Sequence, residues 1–425
     1  MITSPAFAGK HYAVLGLARS GLATVDALLA SGARVSAWDS KPEARARVEG
    51  RVELVDPLTV DLAAYDAVVV TPGLPLNRHP ITAQAAAANV PIIGDIELFA
   101  QARATLPPHR VVGITGTNGK STTTALIHHI VEGAGIPTLM GGNIGLPILS
   151  QQPLPEGGVY VLELSSYQID ITTSLDCDVA VLLNITPDHL DRYDGFAGYA
   201  ASKERLFAMQ SGGHVAVIAP EDTETRRIAA TVDNLVVALS DAIGDQSAWP
   251  ALQGPHNAQN AAVAMAAARA LGIAEEDIQA GLRSFPGLAH RMERIATCND
   301  VLFVNDSKAT NPSSSSFALA SFRNIHWILG GQPKGDRLDE CVPFFGNVAA
   351  AYVIGEAADL FARLLGEAGI RVTRSGTMEQ AVHDAAAAAG AGDVVLLSPA
   401  CASFDQFSDF EARGEAFRSA VKALG

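Results

Sequence analysis

Apolar residues in this 425-residue chain gather into short runs, each closing on glycine or polar residues. The first three, His11–Leu15, Arg34–Trp38 and Ala67–Val70, have the length of strands buried on both faces of a sheet. Between the first two lies the turn Gly16-Leu17-Ala18-Arg19-Ser20-Gly21, which leads into a helix predicted from about Leu22 to Ala30. Strand, glycine turn, helix and a second strand ending in an acid, Asp39, form the dinucleotide-binding pattern. Ala18, however, stands at the second fingerprint glycine, where its Cβ would obstruct the approach of a pyrophosphate. A nucleotide moiety held less intimately, or a purely structural unit, fits this turn better than a nicotinamide or flavin dinucleotide. Asp39 is then either a contact to a base or ribose edge or a simple turn carboxylate.

A proline-containing stretch, Gln101–His109, precedes a second series of runs. The strand Arg110–Ile114 meets Gly113-Ile-Thr-Gly-Thr-Asn-Gly-Lys-Ser-Thr122, and a helix is expected from about Ser121. Gly116 and Gly119 permit positive φ, so successive N–H groups can turn inward and cradle an anion. Lys120 would supply a point charge to β- and γ-phosphates, and the Ser121 or Thr122 hydroxyl could ligate Mg²⁺. Ile114 occupies the usual place of the first glycine, so the loop is a variant whose extra glycine falls at Gly116. The alternative is a glycine-rich turn with a solvated lysine. The order of strand, loop and helix favours a nucleoside triphosphate. Val159–Leu164 and Val179–Ile185 are further strands, and the second leads into Thr186-Pro187-Asp188-His189-Leu190-Asp191. An isolated acid in an apolar strand is costly unless it meets a cation, so Glu163 is a metal-ligand candidate as against a buried ion pair. His189 is a second metal ligand or a cap for the next helix, and the residues alone leave both open.

After Ser284–His290 comes a third series, Val301–Asn305, Ile325–Leu329, Ala351–Ile354 and Val394–Leu397. Its strand ends carry Asp306-Ser307-Lys308 and Gly330-Gly331-Gln332-Pro333-Lys334, a second site with two cations. The run Ala385–Ala389 predicts helix.

Composition narrows the functional classes. A net charge of −15 argues against nonspecific nucleic-acid binding. Cys177, Cys298, Cys341 and Cys401 lie far apart without metal spacing, as expected of reduced thiols. Met1–Lys10 has no signal pattern, and no stretch approaches eighteen uninterrupted apolar residues. A cytoplasmic monomer without membrane insertion is the expectation.

Several motifs together resemble the muramyl ligases of peptidoglycan synthesis over essentially the whole chain. They are Gly116–Thr122, Gly141-Gly142-Asn143-Ile144-Gly145, Glu163-Leu164-Ser165-Ser166-Tyr167-Gln168, Asn184–Tyr193, Gly254-Pro255-His256-Asn257, His290-Arg291, Asn305–Asn311 and Leu397–Phe407. The phosphate loop and the Glu and His motifs also occur in folylpolyglutamate synthetases. The Ser-Tyr-Gln run and Ser398-Pro-Ala-Cys-Ala-Ser-Phe-Asp-Gln-Phe407 point to the branch that adds D-glutamate. The resemblance implies an α/β fold of three domains. These are a Rossmann-like UDP-substrate domain over 1–98, a central P-loop NTPase-like domain with a mainly parallel sheet over 99–287, and a Rossmann-like amino-acid domain over 288–425.

It also implies an ADP-forming ligase with UDP-N-acetylmuramoyl-L-alanine and D-glutamate as substrates and an acyl phosphate between them. ATP would meet Gly116, Thr117, Asn118, Gly119, Lys120, Ser121, Thr122, Asn257, Arg291 and Asp306. Two Mg²⁺ ions would be held through Ser121, Glu163, His189 and Lys203, the last as a carbamate, since an ammonium cannot ligate a metal. Without the resemblance, Lys203 reads as a surface lysine on an amphipathic helix. Lys120, Lys203, His189 and Lys308 would be catalytic. The UDP substrate would lie on Leu17, Ala18, Arg19, Asp39, Ser40, Thr71, Pro72, Gly73 and Asn143, and D-glutamate on Lys308, Thr310, Lys334, Ser403 and Phe410. Two departures from the family pattern stand out. Pro187 replaces a frequent acid, and Gln332-Pro333 replaces a Gly-Gly-Asp-type loop, which bears on the reach of Lys334. Closure of the third domain over the acyl phosphate is a further expectation.

Overall fold

The computed structural model describes residues 1–424 and contains three sheets of five, six and six strands. The first runs in the order Glu53–Leu54, Arg34–Trp38, His11–Leu15, Ala67–Val70, Ile92–Ile93, all parallel. Alternate residues serve opposite faces. Tyr12, Val14, Val35 and Val69 enter one apolar cluster, while Ala13, Leu15, Val68 and Val70 enter another. Both faces are thus buried, which is why these strands read as continuous apolar runs rather than alternating ones. The helix Arg19–Ala30 starts three residues before the expected Leu22. Gly21 explains the early start, because any Cβ there would fall on the Gly16 carbonyl, and its absence lets the helix begin hard against the strand end.

The central sheet runs Leu235–Val237, Val215–Ile218, Val179–Leu182, His109–Thr115, Gly158–Glu163, Thr138–Gly142, again parallel throughout. The expected strand to Ile185 stops at Leu182 because Asn184 turns its main-chain and side-chain oxygens to the phosphate loop instead of a sheet neighbour. The expected linker Gln101–His109 is also more ordered than its prolines suggest. Gln101 and Ala102 finish the helix Asp95–Ala102, and Arg103–Thr105 form a 3₁₀ turn. Glu97 on that helix accepts bonds from Thr173 N, Ser174 N and the Ser174 hydroxyl, tying it to the central sheet's loops.

The third sheet runs Glu293–Cys298, Val301–Asn305, Val394–Leu397, Ile325–Gly330, Val348–Ile354, Val372–Gly376. Its first strand is an antiparallel edge that the apolar pattern did not announce, and the rest is parallel. Ala385–Ala388 lie in the helix Met378–Ala388, as expected, and Ala389 closes it. The chain packs as two compact units: Met1–Gly244 with Gln259–Leu282, which holds the first two sheets, and Asp245–Ala258 with Arg283 onward, which holds the third. Among the described residues no helix is long and apolar enough to cross a membrane.

Candidate active site

In the first unit the phosphate loop joins the central strand His109–Thr115 to the helix Lys120–Gly133. Gly116 and Gly119 both adopt positive φ, at 151° and 84°. At Gly119 a side chain would also strike the Asn260 amide oxygen, so glycine is required there on two counts. Asn184, from the neighbouring strand's end, fixes the loop. Its carbonyl accepts Thr117 N–H at 2.8 Å and its side-chain oxygen accepts Asn118 N–H at 2.9 Å. Its amide nitrogen donates to Asn118 O and to Gln259 Oε1. The Thr117 hydroxyl bonds Thr186 O and the Tyr199 hydroxyl. Lys120 Nζ folds back to Gly116 O and Thr117 O, at 3.0 and 2.8 Å, which holds the ammonium at the loop's mouth.

Glu163, at the carboxyl end of the adjacent strand, is buried. One oxygen accepts a 2.9 Å bond from Asn143 Nδ2, while Oε2 is buried with no hydrogen-bond partner. A buried carboxylate oxygen left over is an acceptor awaiting a cation. Lys203, on the helix Gly195–Ala208, is 1% exposed and donates to Gly116 O at 2.7 Å, with its Nζ 4.6 Å from the Tyr199 ring centre. Burial, then repulsion from Lys120, drives its amine well below the ordinary lysine range; Asp188, Asp170 and Glu163 pull the other way. His189 sits in the left-handed region at φ 52°, between Asp188 and the Tyr167 ring, and burial lowers its pKa. It stands at the N-cap of the 3₁₀ turn Leu190–Arg192 but makes no side-chain capping bond, so the helix-cap alternative loses its motive.

Among the described residues no group of three His, Cys, Asp or Glu side chains is arranged to hold a metal ion by itself. A divalent cation here would therefore draw on Glu163 Oε2, the Ser121 hydroxyl and backbone or substrate oxygens. The partnerless Glu163 oxygen fits that demand.

A cleft of about 400 Å³ opens beside these groups, lined by Ala18, Arg19, Thr71, Pro72, Gly73, Gly142, Asn143, Gly145 and Gln168. Asn143 thus belongs both to the cleft and to Glu163. Leu17, Asp39 and Ser40 do not line it. The Leu17 side chain is in the core, and the Asp39 carboxylate accepts Leu17 N–H at 2.7 Å and Lys41 N–H at 2.9 Å. Asp39 thus ties the turn after the first strand to the end of the second.

In the second unit Asp306 is buried and accepts bonds from the Ser398 hydroxyl at 2.8 Å and Met292 N at 3.2 Å. Burial pushes its pKa up to about 7, against the pull of those bonds and of Arg291. Lys308 Nζ lies 4.0 Å from the centre of the Phe410 ring, and Lys334 Nζ donates to the Thr310 hydroxyl at 3.3 Å. Ser403 is buried, and its carbonyl accepts Phe407 N–H. Asn257 is buried with its amide on Gln253 O. Lys308 is thus paired with Phe410, and Lys334 with Thr310. Arg413, which motif reading passed over, lies buried beneath them and donates to Ser307 Oγ, Ser307 O, Cys401 O and Ala402 O. Like Asn184, it carries no local signal, and only contacts more than sixty residues apart in the case of Asn184, or a hundred for Ser307, reveal the role.

Three family models match the chain: Mur ligase MurD-like, N-terminal domain over 10–94; Mur ligase middle domain over 114–249; and Mur ligase, glutamate ligase domain over 290–401. A protein of Novosphingobium aromaticivorans named UDP-N-acetylmuramoylalanine--D-glutamate ligase is 64% identical over 100% of this chain and 97% of its own length. Proteins of the same name from Zymomonas mobilis and Caulobacter sp. are 58% and 47% identical, over all of this chain and 100% and 98% of theirs. Among solved structures, the UDP-N-acetylmuramate-alanine ligase of Thermotoga maritima superimposes at a TM-score of 0.62 with 17% identity, covering 98% of this chain and 100% of that one. The MurF ligase of the same organism, in complex with ADP, gives 0.61 with 17% identity over 98% and 96%. These two show the shared three-domain fold.

Proposed function

Since the chain belongs to the Mur ligase family, we propose that it joins D-glutamate to UDP-N-acetylmuramoyl-L-alanine at the expense of ATP, in peptidoglycan precursor synthesis. Full-length relatives of up to 64% identity carry that name, and the family consists of ATP-dependent ligases. The substrate carboxylate attacks the γ-phosphorus of ATP, the bond to ADP breaks, and an acyl phosphate results. The amine of D-glutamate then attacks the acyl carbon, loses a proton, and phosphate leaves as the amide forms.

Two anions must meet in the first step, so the residues act mainly by position and charge. Lys120 leaves its two loop carbonyls and turns to the β- and γ-phosphates. Mg²⁺ would neutralise the charge developing on the phosphates, with Ser121 and Glu163 holding one ion and His189 and a carbamate on Lys203 the other. The buried, proton-poor Lys203 amine is the form that attacks CO₂, giving a carbamate and one proton. Ala18, Arg19, Thr71–Gly73 and Asn143 hold the UDP sugar, with Leu17, Asp39 and Ser40 shaping the turn beneath. Asn257, Arg291 and Asp306 hold adenine, ribose and phosphates. Lys308, Thr310, Lys334, Ser403 and Phe410 receive D-glutamate, with Lys334 on a carboxylate. ATP and a nucleotide sugar as substrates argue for the cytoplasm, and one chain carries every residue named.

The observation that carries this reading is the partnerless Glu163 oxygen together with a buried, deprotonation-prone lysine at a phosphate loop. The test supplies ATP, UDP-N-acetylmuramoyl-L-alanine labelled with ¹⁸O in its carboxylate, and D-glutamate. Label in the released phosphate and a product heavier by one glutamyl residue are expected. Phosphate without label ends the acyl-phosphate route, and turnover with another amino acid in a panel redirects the specificity.

A further inference from the structure

Loop Thr71–Leu74 has two faces. One lines the 400 Å³ cleft, and the other, through Thr71, Pro72 and Leu74, borders a second cavity of about 100 Å³ with Tyr167, Arg192 and Tyr193. Arg192 closes that second side. Its guanidinium donates to Leu74 O at 2.6 Å and to Gly73 O at 3.3 Å, and its central carbon lies over the Tyr167 ring, 4.3 Å from the ring centre. Tyr167 continues the contact in two directions. Its ring is 5.1 Å from that of His189, and it stacks on Tyr193 at 6.1 Å and 12°. Tyr193 donates to Asp170, which also accepts from Ser202, the residue beside Lys203. The other ties between these loops, Asn77 Nδ2 to Asp191 O and Arg78 to Asp191 at 3.5 Å, are solvent-exposed and worth little alone.

We propose that Arg192 is a positioning residue of the ligation: it clamps the wall of the sugar-nucleotide cleft to the aromatic stack that carries His189. The proposal rests on the functional reading above. A bidentate, stacked guanidinium does two jobs at once, which a lysine cannot, because an ammonium has neither the fork nor the plane. With the clamp removed, Thr71–Leu74 loses its fixed backing, and binding in the cleft weakens while the nucleotide loop is untouched.

The test compares Arg192→Ala and Arg192→Lys with the unaltered full chain, using UDP alone as a calorimetric probe and then steady-state kinetics. Both variants should weaken UDP binding and raise KM for the muramyl substrate about tenfold, lower kcat through His189, and leave KM for ATP unchanged. Should Arg192→Ala fold poorly, Tyr167→Leu, which removes the ring beneath the guanidinium, should give the same split between the two KM values. Wild-type constants in Arg192→Lys or in Tyr167→Leu would overturn the clamp. So would a loss of kcat alone in Arg192→Ala, the mark of a smaller active fraction. Failure of UDP to bind the unaltered chain would instead remove the functional reading, and the clamp with it.

Discussion

Each compact unit buries one cation at the carboxyl ends of its parallel strands, Lys203 in the first and Arg413 in the second, and each is 1% exposed. Neither forms an ion pair among the described residues, and burial lowers the pKa of both, yet with different consequences. Lys203 has one carbonyl, Gly116 O, and a tyrosine ring to replace its water, and a second ammonium nearby, so its charged form is strongly disfavoured. Arg413 spreads its charge over four oxygen acceptors, and its pKa is lowered only to about 10, so it stays protonated at neutral pH. The lysine is the less easily charged of the two, which the proposed carbamate requires, and the arginine remains a cation. What separates the two is an intrinsically more basic, delocalised guanidinium with four acceptors on one side, and on the other an ammonium with a single carbonyl and a second ammonium beside it.

The strongest way to break this contrast is to remove each cation. Lys203→Ala should lower kcat by at least about a thousandfold, as loss of a charge-stabilising group at a phosphoryl-transfer centre does, with little change in melting temperature. If activity survives within tenfold, the lysine is merely structural. Arg413→Met should do the reverse, destabilising the second unit by about 3 kcal/mol in urea unfolding, because the Ser307 and Cys401 carbonyls lose their donor in a dry interior, while the Ala402 carbonyl keeps the Gln332 N–H. Arg413→Lys should recover only part of this, since three donors cannot serve the same fork. Full recovery would mean that charge alone matters there.

This contrast also marks how far the sequence could be read. The strands His11–Leu15, Arg34–Trp38, Ala67–Val70, Val301–Asn305 and Val394–Leu397 have the bounds their apolar runs predict, because both faces of a parallel strand are dry. The edge strand Glu293–Cys298 escaped notice because solvent on one side dilutes the pattern, as in Glu293-Arg294; Leu235–Val237 is apolar throughout but only three residues long, too short to stand out as a run. Glu163 was legible as an acid inside an apolar strand. Lys203 was not, since its segment reads as an ordinary amphipathic helix, and only the family resemblance singled it out. The roles of Arg413 and Asn184 were hidden for a different reason, although Asn184 opens one of the family motifs: each holds groups distant in sequence, Ser307 and Asn118, and such pairings leave no local trace.

A subtler change sharpens the comparison inside the second unit. Asp306 is buried with a pKa near 7, above its unfolded value of 3.8, so the native state binds a proton that the unfolded state releases between those values. Stability from this group is therefore present in acid and is lost as pH rises towards 7, by up to about 4 kcal/mol for the full shift. Asp306→Asn should flatten that slope, stabilising the ligand-free protein by about 2 kcal/mol at pH 8 and hardly at all near pH 4. The Ser398 hydroxyl can turn to Ser315 Oγ, already 3.0 Å away, and accept from the new amide. Activity should fall in the same variant, as expected of a group proposed to hold the nucleotide. Equal stability at both pH values would show that Asp306 is not desolvated in solution.

The smallest expected effect bears on the chemistry of Lys203 directly. A free amine becomes an oxygen donor only by taking up CO₂, and that addition is reversible. Preparing the enzyme in CO₂-depleted buffer should lower kcat several-fold, and added bicarbonate should restore it. KM for ATP should move little, since Lys120 and the loop remain. The dependence on bicarbonate should be steeper at pH 6 than at pH 8, because acid favours the ammonium, which cannot react. Arg413 offers the matched control, since a guanidinium does not carbamylate under these conditions, and unfolding of the second unit should not respond to bicarbonate at all. A rate indifferent to CO₂ at both pH values, in protein whose intact mass shows no added carboxyl, would make Lys203 a second plain cation and erase the distinction between the two sites.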